Sequence, residues 1–298
     1  MLLAACDARI AAGPTNLVLD AAPGSGPDAS TQAPPPDAAP LGPWSPPTKI
    51  TAAAVLGRDD DDETLSSNGL EMIYAITNNK TKDLFYTQRA STKSTDWSAP
   101  VKLPFTVDSD QTPRLSADDL ILYFSSARGN DNGTLDVWQA KRDAAGANVW
   151  QTPTKLTTVD SAATEKWYMP CPVKGSADYI MVKDLGDGTT HLVESTDGGA
   201  ATEITELAGD AGSETGTFLA NDCLTIYFAS TRNPRAMIYS SHRTAIGAPW
   251  AAPRPVVDYP ITGVDNDNQE DPWMASDTRT FVFVSNAGGD KDVYISTR

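Results

Sequence analysis

The segment that ends the chain, Asp292-Val-Tyr-Ile-Ser-Thr-Arg298, has three upstream counterparts, each followed by a Trp-x-x-Pro element; here nothing follows it. The missing element stands near the other end, as Trp44-Ser-Pro-Pro-Thr-Lys-Ile50. It recurs as WSAPVKL at 97–103, WQTPTKL at 150–156 and WAAPRPV at 250–256, with a degenerate copy, ATEITEL, at 201–207. Trp44, Trp97 and Trp150 are 53 residues apart, and the 100 residues from Trp150 to Trp250 hold two further units. A fixed period of this size belongs to a solenoid, an array or a propeller. The circular offset selects a ring closed by its own N-terminal strand.

Each unit carries strand signals. One apolar-aromatic run is Glu71–Ile76, Leu120–Phe124, Asp178–Val182, Leu224–Phe228 and Thr280–Val284; the next is Asp83–Thr87, Asp136–Ala140, Thr190–Glu194, Ala236–Ser240 and Asp292–Ser296. β-Branched and aromatic runs suit pleated, half-buried surfaces. Turn clusters such as Ser67-Asn-Gly69 and Arg128–Gly133 separate them,. No amphipathic helix of useful length is present. About four strands per unit make a propeller blade, so the expected fold is all-β: a five-bladed β-propeller closed by an N-terminal strand in the last blade. The blades divide as 51–103, 104–156, 157–207, 208–256, and 257–298 with 44–50. The closing strand pairs an otherwise open sheet edge. The repeated Trp is expected to pack between blades as a structural residue, with the following Pro on an outer edge strand.

The stretch Pro113-Arg-Leu-Ser-Ala-Asp-Asp-Leu-Ile-Leu-Tyr-Phe-Ser-Ser126, a Gly-rich turn and Asp136-Val-Trp138 resemble the WD40-like repeats of the TolB type. The chain keeps Ser116-Ala-Asp118 and Ala275-Ser-Asp277 but lacks that family's usual Pro within the turn, and Met169–Ser176 departs furthest. The resemblance covers about residues 44–298. It implies the fold and leaves the function open, because propellers host many unrelated activities.

Residues 1–43 hold eight prolines, eleven alanines and no aromatic residue. Such a composition buries too little apolar surface to fold and reads as a semi-extended linker. Its opening Leu3-Ala-Ala-Cys6 resembles a bacterial lipobox, which implies lipidation at Cys6; no basic region precedes it, and its apolar stretch is short for a signal peptide. No apolar run is long enough to span a bilayer, so membrane contact is expected only through a lipid. Cys171 and Cys223 fall in adjacent blades. A bridge is conceivable, but two buried thiols are the expectation.

The net charge of −16 leaves −13 on the propeller once residues 1–43 are set aside. So acidic a surface, with no basic stripe, speaks against nucleic acid and against direct adsorption to an anionic membrane. The acids cluster before the first strand of each blade: Asp59–Glu63, Asp108-Ser-Asp-Gln111, Glu165, Glu214 and Asp265–Asp271. This position faces the channel of a propeller. The candidate mouth is therefore Asp62, Asp110, Arg114, Glu165, Trp167, Glu214, Glu270, Asp271 and Trp273. Two readings stand: carboxylates that bond neighbouring backbone as part of the repeat, or a functional ring. No cofactor is expected beyond a Ca²⁺ held by oxygen ligands at this mouth; Asp265-x-Asp-x-x-Glu270 suits it better than the acid run 59–63, and neither has EF-hand spacing.

Catalytic signals are sparse. Two histidines, His191 and His242, both in or beside third strands, leave no triad base at the mouth,. Scattered cysteines give no zinc set, and no glycine-rich phosphate loop opens a helix. The favoured expectation is a non-catalytic binding or scaffolding propeller of the bacterial cell envelope, monomeric, presenting a mouth to an envelope protein, peptide or glycan. The alternative is a glycosidase-like enzyme whose mouth carboxylates act as acid and base or nucleophile.

Overall fold

The computed structural model describes residues 42–298 except 55–56, 79, 108, 131–132, 210–211, 257–266 and 288. Cys6, the linker, Asp108 and Asp265 thus lie outside the described residues. The described residues form five four-stranded antiparallel sheets and no helix. From inner to outer strand, blade one is Asp60–Leu65, Glu71–Asn78, Thr81–Gln88 and Val101–Lys102. Blade two is Gln111–Leu115, Ile121–Ser126, Asp136–Lys141 and Thr154–Lys155. Blade three is Glu165–Cys171, Gly175–Asp184, Thr190–Ser195 and Thr202–Glu203. Blade four is Glu214–Leu219, Thr225–Ser230, Met237–His242 and Arg254–Pro255. Blade five is Gln269–Met274, Thr280–Ser285 and Asp292–Thr297, and its outer strand is Thr48–Lys49. The fold is the expected five-bladed propeller, closed where Thr48 pairs with Ile295 and Lys49 with Tyr294.

Second strands are buried on both faces because each blade is sandwiched between two others. Met72, Ile73, Tyr74 and Ala75 are all fully buried, as are Phe281, Val282 and Phe283 in blade five. Such strands lose polar alternation, which is why they read as continuous apolar runs.

The tryptophans hold the outer strands. Arg89, Arg142, Arg243 and Arg298 follow the third strands of four blades. They stack on Trp97, Trp150, Trp250 and Trp44 at 4.7, 4.8, 4.3 and 4.4 Å from the ring centroids. Each guanidinium Nε also donates to a carbonyl of its own blade's first hairpin: Gly69, Asp119, Cys223 and Thr278 respectively. A cation over an indole contributes roughly 0.5–2 kcal/mol, more when desolvated. Blade three lacks the pair. Asp197 stands where the Arg would be, and a tight turn through Gly198 and Gly199 leads straight into Thr202–Glu203. The amide of Ile204 bonds Leu192 O just as Leu103 bonds Leu84 O. The degenerate copy therefore spans 198–204. The expected register at 201–207 is three residues late, because Leu207 imitates the terminal Leu of the other copies.

The expectation of two free thiols is also corrected: Cys171 and Cys223 form a disulfide. Cys223 occupies the positive-φ turn position (φ 60°) that Gly69, Asp119 and Thr278 occupy elsewhere. In blade two that residue, Asp119, accepts hydrogen bonds from the amide and hydroxyl of Ser67 in blade one. Between blades three and four the same contact is covalent.

Candidate functional site

All five inner strands share one irregularity. Their register slips between Asp61 and Thr64, Gln111 and Arg114, Lys166 and Met169, Thr215 and Phe218, and Glu270 and Trp273. The first residue of each bulge has positive φ: Asp62, Thr112, Trp167, Gly216 and Asp271. A bulge re-aims side chains. Five at the same level surround the channel waist with Asp62, Thr112, Trp167 and Asp271, with Gly216 in the fifth place. A Cβ on Gly216 would stand 2.5 Å from Asp271 N and 2.7 Å from its Oδ1. Glycine is what lets Asp271 occupy the waist.

This level is tightly bonded. Asp271 accepts from Trp167 Nε1 at 3.1 Å and from the Asp62 amide at 3.3 Å. Lys82 Nζ bridges Asp61 at 2.8 Å and Asp62 at 2.7 Å, and Lys291 pairs with Glu270. Lys166 has its ammonium 5.5 Å from the Trp167 ring centroid. One level further on, Arg114 plugs the channel. Its fully buried guanidinium donates to Glu63 O at 2.7 Å, Pro113 O at 2.9 Å and Thr217 O at 3.1 Å, tying blades one, two and four.

Burial dominates the protonation of these groups. It pushes Asp271 up to about 7, helped by the Asp62 and Glu270 charges, and raises Asp61 and Glu63 well above the carboxylate range. Asp62 moves the other way: burial acts against its charge, but Lys82 holds it below its ordinary value. Burial also lowers the Lys166 ammonium. Both carboxyl oxygens of Glu63 are buried without a hydrogen-bond partner among the described residues.

The sequence-derived candidates therefore divide. The waist brings together Asp62, Trp167 and Asp271, with Arg114 beneath and Glu270 beside Lys291. Asp110, Glu165 and Glu214 are held inside their own blades. By register their equivalents are Asp60 and Gln269, two residues ahead of Asp62 and Asp271. Asp110 accepts from the Val107 amide at 3.0 Å and pairs with Arg128. Glu214 accepts from the Gly209 amide at 3.1 Å and from Arg232 at 3.2 Å. Glu165 bonds Ser161 and Lys183. Trp273 packs against Phe218 with centroids 6.0 Å apart. Trp167 and Trp273 are 7% and 6% exposed, so neither offers a ring face to solvent. Lys82, Lys166 and Lys291 were not anticipated. Their signal was a lysine beside each acid: Lys82 before Asp83, Lys166 after Glu165 and Lys291 before Asp292.

Among the described residues, Asp136, Asp160 and Glu165 bring carboxylate oxygens within 4.8 Å of one another. Lys155 bridges two of them, at 2.7 Å to Asp136 and 2.9 Å to Asp160. A divalent cation would have to displace that ammonium.

The other end of the channel differs in character. A cavity of about 340 Å³ opens there, lined by Arg114, Tyr123, Met169, Pro170, Cys171 and Leu219 among others. Blade three's first hairpin supplies Pro170, Cys171, Pro172, Gly175 and Ser176 to its wall.

A five-bladed propeller with a plugged channel, a mixed-charge mouth and a partly apolar cavity at the opposite mouth, where Met169, Pro170 and Leu219 stand beside Arg114, Asp118 and Asn221, is the class these observations define. No family model matches the chain, and no curated protein matches it. Among solved structures the fold is similar to a protein assigned as TolB from Agrobacterium tumefaciens (14% identity, TM-score 0.50, 80% of this chain and 76% of that one). It is also similar to the GH62 α-L-arabinofuranosidase catalytic domain of Coprinopsis cinerea (11%, 0.51, 86% and 97%) and to PaAbf62A of Podospora anserina, an α-L-arabinofuranosidase solved with cellotriose (12%, 0.52, 86% and 96%). At such identities the likeness concerns the fold, and in fold the chain is TolB-like.

Proposed function

We propose that this chain is a non-catalytic, monomeric binding propeller of the bacterial cell envelope that receives an apolar side chain of a protein or peptide partner. The cavity beside blade three carries this reading. Its size falls in the range of ligand sites, its walls come from three blades, and the Cys171–Cys223 disulfide holds its rim. A disulfide in a propeller large enough to fold without one also fits an oxidising compartment. Lipidation at Cys6 would tether the domain there. The channel's other end fits catalysis less well, because its carboxylates are buried and engaged by Lys82, Lys291 and Trp167. The test is site-specific photo-crosslinking in the native host from Ala117 and Ser176 at the cavity, with Thr215 at the opposite mouth as control. Discrete adducts from the cavity positions alone support the reading; adducts from Thr215 alone refute it.

A glycan-cleaving reading has one observation in its favour. Asp271 and Asp62 share a wall with protonation pushed in opposite directions, the arrangement that separates an acid from a base. Turnover of arabinofuranosides or other glycosides, lost in Asp62→Asn and Asp271→Asn, would establish it. A Ca²⁺ site is a separate proposal: addition of calcium should raise the melting temperature and EDTA reverse it, whereas no response to either removes the ion from consideration.

A further inference from the structure

At two blade interfaces the arginine that follows a third strand reaches a carboxylate of the preceding blade. Arg142 pairs with Glu71 at 2.8 Å, and Arg243 pairs with Glu194 at 2.6 Å. Glu71 opens the second strand of blade one; Glu194 lies in the third strand of blade three. Strand pairing carries these positions onto Thr280 and Ile295 in blade five, the neighbour that precedes blade one. Arg89 of blade one consequently meets no carboxylate. Its Nε donates to Gly69 O and its Nη1 to Ser94 O at 3.4 Å, while among the described residues Nη2 has no acceptor and the side chain forms no ion pair. The residue is only 7% exposed. Burial alone acts on its protonation, lowering the guanidinium's pKa, and no anion across the interface counters it.

Arg89, Thr280 and Ile295 line one cavity of about 580 Å³. Lys93, Arg279 and Arg298 line it too, with Lys49, whose ammonium is already paired with Asp292, against the carboxylates Asp96 and Asp277. On a chain of net charge −16 this is a local concentration of positive charge, and a cleft with low-dielectric walls focuses such a field.

We infer that this groove binds an acidic peptide segment of a partner, whose glutamyl or aspartyl carboxylate takes at Arg89 the place that Glu71 and Glu194 take at the other interfaces. A guanidinium with a free edge suits that group, since Arg–carboxylate contacts are short, charge-assisted and directional. The site is on the outer side of the ring and does not depend on the cavity beside blade three.

The experiment uses the full chain and a fluorescein-labelled Ser-Gly-Glu-Glu-Gly-Ser peptide, read by polarisation at low salt. The Gln-Gln analogue should bind about tenfold more weakly, the loss of one charge-assisted contact, and added salt should weaken the acidic peptide. Thr280→Glu supplies the carboxylate in cis. It should abolish peptide binding and raise the melting temperature, whereas Thr280→Gln should keep both near wild type. Absence of binding, equal binding of the two peptides, or undiminished binding to a folded Thr280→Glu protein would each overturn the assignment.

Discussion

At the scale of single residues, the channel waist rests on groups that burial forces into unusual states. Gly216 combines φ of 51° with backbone of blade five where its Cβ would be. Gly216→Ala should cost about 3 kcal/mol or more, from the left-handed conformation and the backbone clash together, measured by urea unfolding. Asp271 titrates near 7 in the fold against 3.8 ordinarily. The folded state therefore holds this proton more tightly than the unfolded chain. The stabilisation is complete below the unfolded value and is lost as pH rises through about 7. Melting temperature should fall between about pH 5 and pH 7 and level off above that, and Asp271→Asn should flatten the fall; an unchanged slope would show that Asp271 is not the group responsible,. Arg114→Met removes the donor for three buried carbonyls and takes the neighbouring cation from Glu63, while Asp271 keeps Lys291. A loss of about 3–5 kcal/mol is expected in the same unfolding assay.

At the scale of strands and hairpins, legibility followed the strength of the repeat. The evenly spaced tryptophans placed the outer strands, since a stacked Arg and Trp recur wherever the connection is long enough to hold them. In blade three both members are gone, and with them the only marker of register, so the apolar Leu207 misdirected the alignment. The acid run before each inner strand was visible, but its division was not. The shared bulge sets two residues opposite one and sends carboxylates only two positions apart in the repeat to different surroundings, Asp110 to Arg128 and Asp271 to Trp167. Nothing in residue order announces that. The disulfide was equally hidden, because pairing Cys171 with Cys223 needs the knowledge that each blade's turn touches the hairpin of the one before it. Cys171→Ser with Cys223→Ser should destabilise by about 2–4 kcal/mol, and a reducing agent should lower the wild-type midpoint toward that of the double variant while leaving the variant unmoved.

At the scale of the whole molecule, stability depends on how a ring is closed. Four blades draw all their strands from one stretch of chain; the fifth borrows its outer strand from the front. Around Thr48–Lys49 the closure adds Ser45 N to Thr297 O at 2.7 Å, Ile50 N to Val293 O at 2.8 Å, and Ser296 Oγ to Ser45 O at 2.7 Å. Trp44 lies between Arg298 and Phe281, and Ile50 is fully buried. Burying those two side chains alone contributes roughly 3–6 kcal/mol. Losing them would also free the edge of Asp292–Thr297, exposing unpaired backbone that invites association. Deletion of residues 1–43 should leave the melting temperature almost unchanged, because every one of these contacts begins at Trp44. Deletion of residues 1–50 should lower it steeply and produce aggregates on size-exclusion chromatography. Equal melting temperatures for the two truncated chains would mean that the ring is held shut by its inner strands, where Asp62 meets Asp271, and that the borrowed outer strand is dispensable.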